Sequence, residues 1–190
     1  TEEIVETFLI DEVVDEAIPS FNVAPTDPVA AVVERPDKET GGVTRKLVSP
    51  RWGLVPAWSK DARGGARMIN ARSETVATKP AFAPSFAKRR CLIPADGYYE
   101  WTPGRRDGKD YKQPWYLRPA GEGPFVMAGL YAFWRDEAAD SWLTTCTIIT
   151  TRATDALGHI HDRMPMVIGP GDWGAWLDPH LTDPADALPL

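Results

Sequence analysis

Eighteen prolines interrupt this chain of 190 residues, close to twice the usual share of about 5%. Proline has no N–H to give a helix or a central strand, and it pushes the residue before it out of the helical region. Short elements joined by many ordered loops are the expected result. No linker, repeat or low-complexity stretch divides the sequence, so residues 1–190 are read as a single domain. Apolar residues make up 43%, enough for a sizeable core. There is no apolar run long enough to cross a membrane, and residues 1–20 hold no Lys or Arg, so neither a membrane span nor a secretory signal is expected.

Within those limits, Ile4, Val5, Phe8 and Leu9 predict an amphipathic helix over 2–9. Thr1 is placed to cap it, and Glu2 and Glu3 suit its positive end. β-Branched and aromatic residues predict strands over 29–34, 44–49, 91–94, 97–101, 115–118, 125–133, 142–150 and 166–168. An extended piece over 67–71 leads to a helical turn, and short helices are expected over 153–157 and 172–177. Strands that do not alternate with long helices argue for an α+β fold of mainly antiparallel sheets, not a doubly wound parallel one.

Net charge is −6, which taken alone argues against nucleic acid. Its distribution is uneven. Residues 45–118 hold 16 of the 21 Lys and Arg but 6 of the 27 acids, a local charge of +10 between acidic ends. Trp52, Trp58, Tyr98, Tyr99, Trp101, Trp115 and Tyr116 lie in the same stretch. Cations beside stacking surfaces are what a single-stranded nucleic acid site uses. The competing reading is an ordinary surface interleaved in space with the acidic ends, and a core in which most of the eight tryptophans are buried.

Three local motifs carry candidate chemistry. In Asn70-Ala71-Arg72-Ser73-Glu74-Thr75, an Asn and an Arg two apart project to one side of a strand. Asn can orient a nucleophile, and Arg can fork onto a phosphate; a loop-fixing Asn is the plainer alternative. In Ala95-Asp96-Gly97-Tyr98-Tyr99-Glu100-Trp101, a carboxylate stands between aromatics. Desolvation there would suit Glu100 to proton transfer, against the alternative of a strand-edge acid facing water. His159-Ile160-His161-Asp162-Arg163-Met164-Pro165 holds two of the three histidines. His161 is a candidate acid or base, and Arg163 a candidate phosphate ligand. With no other His or Cys at ligand spacing from this pair to complete a soft ligand set, no metal is expected. Cys91 and Cys146 form no CxxC and read as small buried residues of a protein from a reducing cytoplasm.

Taken in order, Asn22-Val23-Ala24-Pro25, Arg51-Trp52-Gly53-Leu54-Val55-Pro56 with Trp58, the NARSET stretch, ADGYYEW and HDRMP resemble the SOS response-associated peptidase (SRAP) family across nearly the whole chain. The resemblance implies one barrel-like α+β domain with short flanking helices and a positively charged groove. It implies a protein that crosslinks covalently to abasic sites in single-stranded DNA, protecting the lesion during the DNA damage response, with associated lyase or thiol-peptidase activity. By motif, Asn70 corresponds to the residue that holds the reacting terminus, and Glu100 and His161 to the acid–base pair. Asn22, Pro25, Trp58, Arg72, Lys79 and Arg163 correspond to DNA contacts. Ser59 follows Trp58 where the family often has a second aromatic, which implies weaker stacking of a neighbouring base. Family members begin Met-Cys-Gly-Arg and expose the cysteine by losing methionine. Residues 1–9 resemble the helix that follows, so the resemblance implies a cysteine upstream of Thr1, and neither Cys91 nor Cys146 matches it. No cofactor is implied; a monomer, nucleoid-associated when bound to DNA, is.

The chemistry that this family suggests is self-consistent. An α-amine with a pKa near 7.7–8.0 is about a tenth to a fifth neutral at pH 7, far more available than a lysine. It can form a Schiff base with the open aldehyde of an abasic site, and a thiol on the same residue can close a thiazolidine with proximity built in. Two other readings stay open: an N-terminal-nucleophile hydrolase, and a noncovalent single-strand binder.

Overall fold

The computed structural model describes all residues except Ala17, Lys38, Glu122, Asp155, Ala156, Pro189 and Leu190. Its spine is two twelve-residue strands, β9 (Phe125–Asp136) and β10 (Ser141–Arg152), paired antiparallel from Ser141↔Asp136 to Ile148↔Gly129. Strand β6 (Arg90–Ala95) lies on the far side of β9, followed by β2 (Ala31–Pro36), β3 (Val43–Val48) and the two-residue β1 (Glu12–Val13). The other edge of β10 takes two short parallel strands, β4 (Arg51–Trp52) and β5 (Asn70–Arg72). Strand β11 (Arg163–Pro165) pairs antiparallel with the end of β10. Apart from β1, β4 and β5, every pairing is antiparallel, and the sheet curls into a half-barrel.

Both faces of this sheet are covered, which is why β9 reads as a near-continuous apolar run. Alternation still sorts its residues. Val32, Leu92, Val126, Ala128, Leu130 and Ile149 face one core. Ala31, Val33, Cys91, Ile93, Met127, Tyr131, Cys146 and Ile148 face the other. Four short helices supply residues to the first core: α1 (Glu2–Phe8), α2 (Ala83–Lys88), α3 (Trp173–Leu177) and α4 (Pro184–Ala187). On the second face, Trp52 and Tyr98 pack as partial covers.

Helix α1 matches its prediction in place but not in detail. Phe8 is buried against Trp173 and Ile4 packs on the core, while Leu9 turns outward in the left-handed conformation that ends the helix. Thr1 holds the cap position through its carbonyl, which accepts from Val5 N–H at 3.0 Å, and its side chain makes no capping bond.

Hairpin β7 (Tyr98–Arg106) and β8 (Lys109–Leu117) forms a separate two-stranded arm. It extends beyond the strands predicted over 97–101 and 115–118, because Asp107 and Gly108 supply the positive φ values, 51° and 75°, of a two-residue turn. The expected strand over 166–168 is also displaced. The chain pairs with β10 at Arg163–Pro165, then crosses to β9, where Ala128 N–H donates to Met166 O at 2.8 Å and Ile168 N–H to Val126 O at 3.0 Å. It thus fills the split that opens where β9 and β10 diverge. Arg67 belongs to a 3-10 turn, Ala62–Arg67, and the extended piece begins at Asn70. The helix expected over 153–157 includes Asp155 and Ala156, which lie outside the described residues.

Candidate functional site

Strand β5 shows how three residues can build a site. Ala71 is buried in the first core, so Asn70 and Arg72 stand on the opposite face and are exposed. Asn70 is the register partner of Ile148, and Arg72 of Thr150. The predicted one-sided display of these two polar heads is therefore present, and it lies on the face of Cys146 and Ile148.

A cleft of about 610 Å³ opens at this end of β10, lined in part by Arg72, Glu74, Arg152, Asp162 and Arg163. Its centre is a bidentate ion pair. Arg163 Nη1 lies 2.6 Å from Glu74 Oε1, and Arg163 Nη2 lies 3.0 Å from Oε2. Nη2 also donates to the Thr150 carbonyl at 2.6 Å. The Arg163 guanidinium holds the Glu74 carboxyl at about 2, and its own pKa rises in return. The NARSET and HDRMP motifs, 89 residues apart, are thus joined by one charge-assisted fork.

Arg163 also fixes His161. His161 Nδ1 lies 3.0 Å from the main-chain N and 3.1 Å from the main-chain O of Arg163, so this nitrogen is engaged by the Arg163 backbone in either neutral tautomer. Asp162 Oδ1 is 3.4 Å from the same Nδ1. The imidazole is exposed, so Nε2 can meet a substrate.

Glu100 lies on the hairpin arm. Along β7 the half-buried residues are Tyr98, Glu100, Thr102 and Gly104, and the exposed ones Tyr99, Trp101, Pro103 and Arg105. Glu100 therefore shares a face with Tyr98, whose ring stacks on Phe125 at 5.4 Å within the second core. Burial raises the Tyr98 hydroxyl pKa, and the Glu100 carboxylate adds to it. Among the described residues, no hydrogen bond joins Asn70, Glu100 and His161 to one another.

The Asn22–Pro25 turn is exposed and tied to β4: Thr26 N–H donates to Trp52 O at 2.8 Å, and Trp52 N–H to Asp27 O at 2.9 Å. Tyr99 Oη donates to Phe21 O at 3.4 Å, which brings this turn beside the hairpin. Trp58 is 66% exposed on the loop after β4, and Lys79 is exposed in the turns after β5. Most tryptophans are not buried. Trp134 and Trp176 are, whereas Trp58, Trp101, Trp115 and Trp142 lie open to solvent. Both cysteines are wholly buried, and burial pushes both thiols up, Cys91 further through the neighbouring Cys146. Burial thus disfavours the reactive thiolate of each in the folded protein.

Sequence reasoning assigned no role to three charged residues of the cleft, Glu74, Arg152 and Asp162. Glu74 was visible as an acid inside an otherwise basic motif, and Arg152 as one of three Lys or Arg beyond residue 118.

A curled antiparallel sheet that ends in an arginine-lined, carboxylate-braced cleft, with an aromatic hairpin beside it, defines a class of small α+β proteins. Within that class the chain belongs to the SOS response associated peptidase (SRAP) family, whose sequence profile it matches over residues 1–190. Abasic site processing protein YoqW of Bacillus subtilis (strain 168) is 40% identical over 185 residues, which cover 96% of this chain and 78% of that protein. Abasic site processing protein HMCES of Xenopus tropicalis is 31% identical over 93% of this chain and 58% of its own length. A crystal structure of a Bordetella bronchiseptica protein superposes with a TM-score of 0.74 at 27% identity, covering 98% of this chain and 86% of that one.

Proposed function

We propose that this protein processes abasic sites in single-stranded DNA by capturing them covalently, through the amine and thiol of a cysteine upstream of Thr1. The relatives named above as abasic site processing proteins support the reaction class. The observation that carries the reading is the arrangement around the end of β10: Asn70 and Arg72 project from one face of β5, Arg72 and Arg163 line the cleft, and His161 is held by the main chain of Arg163.

The open sugar of an abasic site presents an aldehyde. The α-amine attacks its carbon, and loss of water gives an imine. The thiol then adds to the imine carbon, its proton passing to nitrogen, and a thiazolidine closes; aldehyde and aminothiol become ring and water. Asn70 holds the terminus. His161, through Nε2, assists ring opening of the sugar, and Glu100 moves protons during imine formation. Asn22, Pro25 and Trp58 wall the strand beside the lesion, with Lys79, Arg72 and Arg163 serving the DNA backbone. Bound DNA would bring the protein to the nucleoid, and it acts as a monomer of one domain.

The test mixes the protein carrying its upstream cysteine with single-stranded DNA bearing one abasic site. The expected result is an adduct that survives a denaturing gel and maps to that cysteine. Slower formation is expected for Glu100→Gln and His161→Ala, by about 10²-fold or more if each supplies general acid–base catalysis. No adduct, with the cysteine verified as residue one, would leave noncovalent binding and sink the covalent reading.

A further inference from the structure

Residues directly opposite in an antiparallel pair share a face, and their Cβ atoms stand about 4.5–5.5 Å apart. On the hairpin arm Glu100 is paired with Trp115, Tyr98 with Leu117 and Thr102 with Gln113. Glu100 and Trp115 therefore point to one side, the side on which Tyr98 packs on the second core. The other aromatics beside Glu100 in the ladder point away from it. Tyr99, Trp101 and Tyr116 stand on the opposite face, with the Tyr99 ring 6.3 Å from that of Trp101 and 5.1 Å from that of Tyr116.

Trp115 is 41% exposed, yet its ring is fixed: Nε1–H donates to Thr102 Oγ1 at 2.9 Å. Thr102 lies two residues beyond Glu100 on the same face of β7, so the indole reaches diagonally across the ladder toward the hairpin tip. Glu100 is thus walled on the tip side by Trp115. It is walled on the root side by Tyr98, whose own ring is stacked on Phe125. Among the described residues, the half-buried Glu100 carboxylate has no hydrogen bond or ion pair to aim it. Its direction is left to these two rings, one anchored in the core and the other by Thr102. Fixing an exposed tryptophan in one rotamer costs conformational entropy, and its open surface returns less than a buried ring would. What the fixed ring secures is the flank of Glu100.

We propose that Trp115, pinned by Thr102, is a positioning residue for Glu100. The indole blocks the rotamers that would turn the carboxylate outward along the arm and keeps water from one side of it. The inference rests on the proton-transfer role proposed for Glu100 and deepens it. Trp115 acts through Glu100, not by holding the strand.

The experiment separates rate from affinity. Protein carrying the upstream cysteine is held in saturating excess over single-stranded DNA with one abasic site. The rate constant of adduct formation is measured beside the noncovalent affinity for an intact strand of the same sequence. Trp115→Ala should lower the rate constant by about tenfold, part of the 10²-fold or more assigned to Glu100, and leave the affinity unchanged. Thr102→Val, which keeps the shape and removes the acceptor, should slow the reaction as well, and Thr102→Ser should restore most of that loss. In a Glu100→Gln background, Trp115→Ala should add no further slowing, because groups that act as a unit are not additive. An equal slowing in both backgrounds, or a fall in affinity as large as the fall in rate, overturns the assignment and leaves the proposed function standing. Should Trp115→Ala fail to fold, Thr102→Val in the two Glu100 backgrounds decides in the same way. Absence of any adduct from the wild type overturns the proposed function and this inference together.

Discussion

Arg90 and Arg163 are cations of one type put to different work by their partners. Arg90 is only 4% exposed, and its guanidinium donates to main-chain carbonyls of Phe86 at 2.8 Å, Trp176 at 2.7 Å and Asp178 at 2.7 Å. It fastens α2 and α3 to the start of β6, and its charge is desolvated but fully hydrogen-bonded. Replacing it by Met keeps much of the stem but removes the donor from two buried acceptors, Phe86 O and Trp176 O, and from the part-buried Asp178 O, so Arg90→Met is expected to cost about 3 kcal/mol, read as a lower urea midpoint at unchanged slope. Arg163 is instead half of an exposed brace. Glu74 is held below its ordinary value of 4.5, at about 2. A carboxylate depressed in the folded state contributes stability above its unfolded pKa and loses it as pH falls through the folded one. The brace should therefore be intact at neutral pH and fade between about 4.5 and about 2. Melting temperatures of the wild type and Glu74→Gln should differ at pH 6 and converge near pH 2. A constant gap across that window would show that the pair does not act as described.

Elements in this fold are set by period and by punctuation, and the two were not equally legible. The long strands were: alternation and β-branched content mark β2, β3, β6, β9 and β10 within a few residues. The two-residue strands β1 and β4 were not, because so short a piece has no period and forms only because a neighbouring strand offers its edge. Helix α2 hides behind Pro84, which is tolerated in the first turn where no N–H is required. The hairpin tip was written in Asp107-Gly108, a turn signal whose local chemistry extends both strands. A tertiary contact that no local reading could supply lies between β4 and the 3-10 turn. A Cβ on Gly65 would meet the Gly53 carbonyl oxygen at 2.6 Å, and Gly53 itself has φ +129°. This backbone-to-backbone approach sets the path of the loop that carries Trp58 towards β5. Gly65→Ala is expected to cost about 1–3 kcal/mol, since neither backbone can yield as a side chain would. Thermal unfolding checks it, and a melting temperature equal to wild type would mean that the loop shifts freely.

At the scale of the whole molecule, β10 is what turns separated motifs into a site. RWGLVP and NARSET pair with one of its edges, HDRMP with the other, and Tyr98 of ADGYYEW packs into the core that Cys146 and Ile148 share. The sequence could show the motifs and, through their resemblance to a family, their joint meaning. It could not show that Arg163 is already bonded to Glu74, because that pairing depends on strand register across 89 residues. The same sheet decides the fate of the two thiols. Cys91 and Cys146 lie on adjoining parts of one buried face, and desolvation disfavours the thiolate of each. A thiol reagent at pH 8 should therefore label neither in the folded protein and both after denaturation. In protein that carries the upstream cysteine, Cys91→Ala/Cys146→Ala should still form the adduct with abasic single-stranded DNA, at a yield scaled only by the fraction that remains folded. Loss of the adduct in folded double variant would place the nucleophile inside the sheet. That outcome would require the sheet to open before it reacts, and adduct formation would then accelerate under mild denaturant, where a terminal cysteine acting on a preformed cleft should slow.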